Sequence, residues 1–125
     1  MGYRLNLVDH CMVISMDDRI AAHDLGQVTR MFDSIDAKAT SRYVLDLSDV
    51  EAIDPSALGF FLLFNGEAQR RGKSVALVTG GTSLRDSLER LRIDTLILVV
   101  DRLEEAGVMP PASLPDDFGA AVAPV

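Results

Sequence analysis

The residues best placed for chemistry lie in Asp54-Pro55-Ser56. Asp is a favoured helix N-cap because its carboxylate accepts a bond from an otherwise unpaired backbone N–H. Pro suits the next position, where no N–H is needed. Ser56 then falls in the first helical turn, with its hydroxyl near the positive end of the helix dipole. A hydroxyl so placed can be phosphorylated, which would add roughly −1.5 to −2 charges at that point. A second acid–hydroxyl pair, Asp46 and Ser48, lies just upstream.

Nucleophilic catalysis at Ser56 lacks its partners. The sequence has two histidines, His10 and His23, both N-terminal, and no GxSxG elbow surrounds the serine. The same two histidines are isolated and support no metal site, and the one cysteine, Cys11, reads as a small core residue. Thr79-Gly80-Gly81-Thr82 stands between a strand and a helix but lacks the spacing of a phosphate-binding loop, so it reads as a turn. No cofactor is expected. A phospho-acceptor receiver site could be sought in Asp17, Asp18, Asp46 and Thr79, but that scheme needs a lysine after the last strand and residues 96–101 hold none.

The elements that must position Ser56 follow from periodicity. Residues 43–47 (YVLDL) read as a buried strand, broken into a polar loop by Asp46, Ser48, Asp49 and Glu51. A helix runs from Pro55 to about Arg71 and stops at Gly72. At about 100° per residue, Ala57, Phe61, Phe64 and Ala68 share its core face, flanked by Leu58 and Leu62. Phe60 and Leu63 follow Ser56 by four and seven residues and are expected on the serine's own face, as a partner-docking strip.

Along the chain, residues 3–8 alternate as a half-buried strand, Asp9-His10 makes a turn, and residues 12–16 form a second strand ended by Asp17, Asp18 and Arg19. A helix starting at His23 or Asp24 buries Leu25, Val28, Phe32 and Ile35; a loop spans 37–42. Residues 74–78 form a strand, 84–92 a helix opened by Ser83 and Asp86 at capping-box spacing, and 95–100 a last strand with a helical turn after it. From Gly107 the Pro/Ala-rich tail reads as loosely packed or mobile. The order β-β-α-β-α-β-α-β predicts one α/β domain over 1–106: a small mixed sheet with an N-terminal hairpin, parallel strands and crossover helices.

Of the 125 residues, 48% are hydrophobic and 25% charged, as in a globular soluble domain. The net charge of −7 argues against nucleic acid as partner. No apolar run approaches the ~20 residues of a membrane helix, so direct membrane insertion is not expected. The start carries no secretory signal pattern, and the single cysteine fits a cytoplasmic address.

These residues resemble a known family. Val44-Leu-Asp-Leu-Ser48, then Ile53-Asp-Pro-Ser-Ala-Leu-Gly59, then an apolar helix and Ser74-Val-Ala-Leu-Val78 are similar to the STAS domain of bacterial anti-sigma factor antagonists. Pro55 stands where that family usually has Ser or Thr, and Ala57 where it has Gly. The resemblance implies that Ser56 is phosphorylated by a partner that is both anti-sigma factor and serine kinase, and reset by a phosphatase. Asp54, with Asp46 and Ser48, would position the phosphosite; Leu58, Gly59, Phe60 and Leu63 would bind the partner. The strip could also pair two copies of the chain. The alternative is a constitutive STAS subunit of a larger assembly, a stress-sensing complex or a lipid transporter, with no phospho-switch.

Overall fold

A computed structural model describes residues 2–21, 24–33 and 40–108. Five strands form one sheet in the order of the sequence: β1 (Tyr3–Val8), β2 (Cys11–Ile20), β3 (Arg42–Ile53), β4 (Ser74–Val78) and β5 (Leu98–Val100). β1 is antiparallel to β2, and the remaining pairs are parallel. The mixed α/β sheet with its opening hairpin is the expected fold.

Parallel neighbours need crossovers, and α1 (Leu25–Asp33), α2 (Leu58–Arg70) and α3 (Leu84–Arg90) provide them. With strands in sequential order and right-handed crossovers, all three helices fall on one face. That face holds the main core: Met12, Ile14 and Met16 of β2, Tyr43, Leu45 and Leu47 of β3, and Val75 and Leu77 of β4 pack against Val28, Met31, Phe32, Phe61, Phe64 and Leu88. The other face is smaller. Cys11, Val13, Val44, Ala76 and Val78 lie under Ala106 and Val108, at and just beyond a 3-10 turn (Leu103–Ala106). Cys11 is thus the core residue expected; its thiol contacts the Gly107 carbonyl at 3.8 Å.

Two strands are longer than expected. β2 runs on through Asp17, Asp18 and Arg19, and β3 through Ser48, Asp49 and Glu51. The register shifts between the pairs Ser15↔Asp46 and Asp17↔Asp49, and again before Arg19↔Ala52. Each shift gives β3 an extra residue, so β3 bulges twice while the two strands stay paired. Asp18 takes the left-handed conformation at φ 63°, which Asp tolerates better than most side chains. The polar residues therefore mark a bulged strand extension rather than a loop.

Smaller differences have local causes. α1 starts after Asp24, whose carboxylate accepts from the Ala21 N–H at 2.9 Å. Leu25 is half exposed rather than core, and Met31 takes its place. Ser83 makes no side-chain cap, so the expected capping box does not form; the Thr82 hydroxyl accepts from the Leu84 N–H instead. α3 stops at Arg90, and Arg92 (φ 59°) turns the chain into a 3-10 turn (Ile93–Thr95), which shortens β5. His23, Ile35, the loop over 37–39 and the tail from 109 onward lie outside the described residues.

Candidate functional site

The start of α2 is built as the sequence requires. Ile20 and Ile53 pair at the ends of β2 and β3, and the Asp54 N–H donates to the Ile20 carbonyl at 2.9 Å. This fixes the exit of β3. The Asp54 backbone is extended while its Oδ1 accepts from the Ser56 N–H at 3.0 Å and the Ser56 hydroxyl at 2.8 Å. Pro55–Ala57 form one 3-10 turn, and α2 continues from Leu58. Ser56 is exposed and Ala57 wholly buried, so the serine stands over a fixed backbone with its side chain in solvent.

The docking strip needs correcting. Phe60 is not on the surface: it is 0% exposed, edge-on to Phe61 and stacked on Phe64. Bringing a buried Phe out costs about 1.5–3 kcal/mol, so Phe60 belongs to the core and not to a partner. Ala57, Phe60, Phe61, Phe64 and Ala68 make a core stripe wider than the wheel suggested. The exposed face holds Gly59, Leu62, Leu63 and Gly66, at helical spacings of three, four and seven. Leu62, expected beside the core, is the more exposed leucine at 46%, and Leu63 is 39% exposed. Leu58 is half buried. Leu25 of α1 extends the patch, because a Cβ on Gly59 would lie 3.8 Å from its Cδ2. Gly59 and Gly66, seven residues apart, were the hint of this face in the sequence, but periodicity by itself leaves two overlapping stripes open.

The far end of α2 is basic. Glu67 pairs with both Arg70 and Arg71, and the Arg71 guanidinium also sits over the Phe32 ring at 4.5 Å, tying α2 to α1. The bond from Arg71, with the nearby Arg70, holds the Glu67 carboxyl below its usual range.

Asp46 and Ser48 do not join this site. They pair with each other: Asp46 Oδ1 accepts from the Ser48 N–H at 3.1 Å and from its hydroxyl. Ser48 precedes Asp54 by six residues of largely extended chain, up to about 20 Å. It sits instead against Gly80, where a Cβ would fall 2.6 Å from the Ser48 Oγ and 3.0 Å from its Cα. Gly80 makes this approach with a positive φ of 73°, and Gly81 continues the turn at 77°. Beside them, buried Thr79 donates its hydroxyl to Asp101 at 2.8 Å, and Arg85 reaches the same carboxylate at 3.1 Å. The Thr79 hydroxyl first, then Arg85, holds the Asp101 carboxyl below its usual range. Among the described residues no group of His, Cys, Asp and Glu could hold a metal, and no helix is long and apolar enough to cross a membrane.

Residues 3–100 match the protein family described as Mlab, STAS domain. The chain belongs to the STAS domain family. No curated protein matches it. Among solved structures, this STAS chain is similar to a Thermotoga maritima protein proposed as an anti-sigma factor antagonist, at 23% identity and TM-score 0.71, over 84% of this chain and 91% of that one. It is similar to the Bacillus cell fate determinant SpoIIAA in its phosphorylated form, at 16% identity and TM-score 0.58, over 84% and 96%. A sulfate transporter family protein from Wolinella succinogenes shares the STAS fold as well, at 17% identity and TM-score 0.65, over 78% and 81%.

Proposed function

We propose that this STAS protein is an anti-sigma factor antagonist, a binding module rather than an enzyme, whose partner is an anti-sigma factor with serine kinase activity. One observation carries the reading: an exposed Ser56 hydroxyl, held by Asp54, heads an α2 face that presents Leu62 and Leu63 to solvent. Gly59 and the half-buried Leu58 complete the docking surface. Phosphorylation removes the hydroxyl proton that Asp54 accepts and sets a near-dianion beside that carboxylate. The helix dipole favours the added charge by only ~0.3–1 kcal/mol. Against an acidic, desolvated partner surface the cost is several times larger, and ~3 kcal/mol weakens binding roughly a hundredfold. The domain need not refold to switch, and a serine phosphatase resets it.

The sulfate transporter family protein among the similar structures supports a second reading: a constitutive STAS subunit of a larger assembly, with no phospho-switch. Ser56 would then only help start the helix. Pull-down from host lysate with Ser56→Ala and Ser56→Asp baits separates the two. Retention of an ATP-binding serine kinase by the Ala bait alone is the expected result. Equal capture of the same proteins by both baits would sink the switch.

A further inference from the structure

The exposed face of α2 is symmetric about its own midpoint. Leu62 and Leu63 are central, and Gly59 and Gly66 stand three and a half residues to either side of the point between them. Ser56 lies six and a half residues before that point and Arg70 seven and a half after it. At about 100° per residue Arg70 shares the face with the two leucines. The tighter 3-10 turn at Pro55–Ala57 brings Ser56 round to the same side.

A two-fold axis through that midpoint would lay α2 antiparallel against α2 of a second copy. Each Gly59 would then oppose the partner copy's Gly66, and the four leucines would meet at the centre. Nothing lies within 4 Å of a Cβ built on Gly66, and only Leu25 lies near one on Gly59, so both glycines leave notches for close helix approach. At each end, Ser56 would face Arg70 of the other copy, with an axial offset of about 1.5 Å.

The charges decide when this pairing is favoured. Unmodified, each end sets the Arg70 guanidinium against the positive end of the opposing helix, which is mildly repulsive. With phosphate on Ser56, the same end becomes an arginine–phosphate pair, and guanidinium geometry suits phosphate. Arg70 can turn outward at little cost. Its side chain is 69% exposed, and its partner Glu67 keeps Arg71 at 2.7 Å.

We infer that phosphorylation of Ser56 converts this face from a partner-docking surface into a homodimer interface, with phosphoserine of each copy held by Arg70 of the other. The inference rests on the reading of Ser56 as a phosphoacceptor. One helix width of leucine and glycine is less than the ~800 Å² per partner of a standard interface, so the unmodified pair is weak. Each phosphate–Arg70 pair adds about tenfold, and the symmetry makes two. The dimer also covers Leu62 and Leu63, so the modified form is withheld from the partner by occlusion as well as by charge.

The test is sedimentation equilibrium of the full chain, unmodified and with phosphoserine incorporated at position 56 during translation. Dimer affinity should rise about a hundredfold with phosphoserine. Arg70→Gln should remove that gain, Arg70→Lys should keep part of it, and Leu63→Asp should leave monomer in both forms. A phosphoserine chain that sediments like the unmodified one, or a gain that survives Arg70→Gln, overturns the inference. No kinase is involved, so the outcome is separable from the lysate experiment. Discriminating baits with no dimer would sink the pairing alone, and a dimer with non-discriminating baits would sink the partner switch alone.

Discussion

Two Asp-x-Ser units eight residues apart, Asp46-Leu47-Ser48 and Asp54-Pro55-Ser56, make the same local structure. In each, the carboxylate Oδ1 accepts from both the N–H and the hydroxyl of the serine two residues on. What differs is the backbone beneath. Asp46-Leu47-Ser48 lies within a strand, with Leu47 in the core and Gly80 closing one side of Ser48. Asp54-Pro55-Ser56 opens a helix whose outer face is apolar and unoccupied by the described residues. An identical hydrogen-bond pattern is a lock in one place and an addressable hydroxyl in the other. The lesson is that a motif's role is set by what stands next to it.

The contrast can be broken most forcefully at Gly80. Gly80→Ala combines an unfavourable positive φ with a Cβ 2.6 Å from Ser48 Oγ. The expected loss is about 2–3 kcal/mol, measured as a lowered urea midpoint; an unchanged midpoint would remove the lock. Next come the two acids. Asp54→Ala should cost about 1 kcal/mol as a lost helix cap, and Asp46→Ala about half of that or less, since its strand stays paired on both sides. Reversed ranking would mean the two units had been assigned the wrong way round.

Acid should act on the Ser48–Gly80 corner through its neighbour. Asp101 has a folded pKa below its ordinary 3.8, through Thr79 first and then Arg85. Its contribution is present above the unfolded value and is lost as pH falls through the folded one. Thermal midpoints of wild type and Asp101→Asn should therefore separate above about pH 4 and converge below it. A gap constant across pH would assign the effect to packing. The smallest effect belongs to Ser56 itself. Ser56→Ala should alter stability by no more than ~0.5 kcal/mol, checked by the same denaturation, because the residue serves the surface rather than the fold.

Much of this arrangement was legible in the sequence. Asp54, Pro55 and Gly72 marked the ends of the helical segment by local chemistry that needs no tertiary context, and the alternation of apolar runs gave the order of the elements along the chain. Phe60 was misplaced because residues three and four apart fit either of two overlapping stripes. Which one is buried depends on where α1 and β3 lie, and no local rule supplies that. The extensions of β2 and β3 were hidden for a related reason. Asp17 to Arg19 and Ser48 to Glu51 look like loops by composition, and only pairing between the two strands, eased by bulges, keeps them extended. The resemblance places Asp46 and Ser48 with Ser56, whereas an extended strand carries them away from it.

The strand order has a consequence for how the chain is made. Among the described residues, every strand is hydrogen-bonded only to strands that directly precede or follow it in sequence. The sheet can therefore be laid down edgewise as the polypeptide leaves the ribosome, each new strand finding its template already present and each helix closing over the strands that flank it. Few other parallel arrangements permit this, because most must wait for a distant segment to fill the middle of the sheet. Ser56 would accordingly be in place on a partly assembled domain before β5 is synthesised.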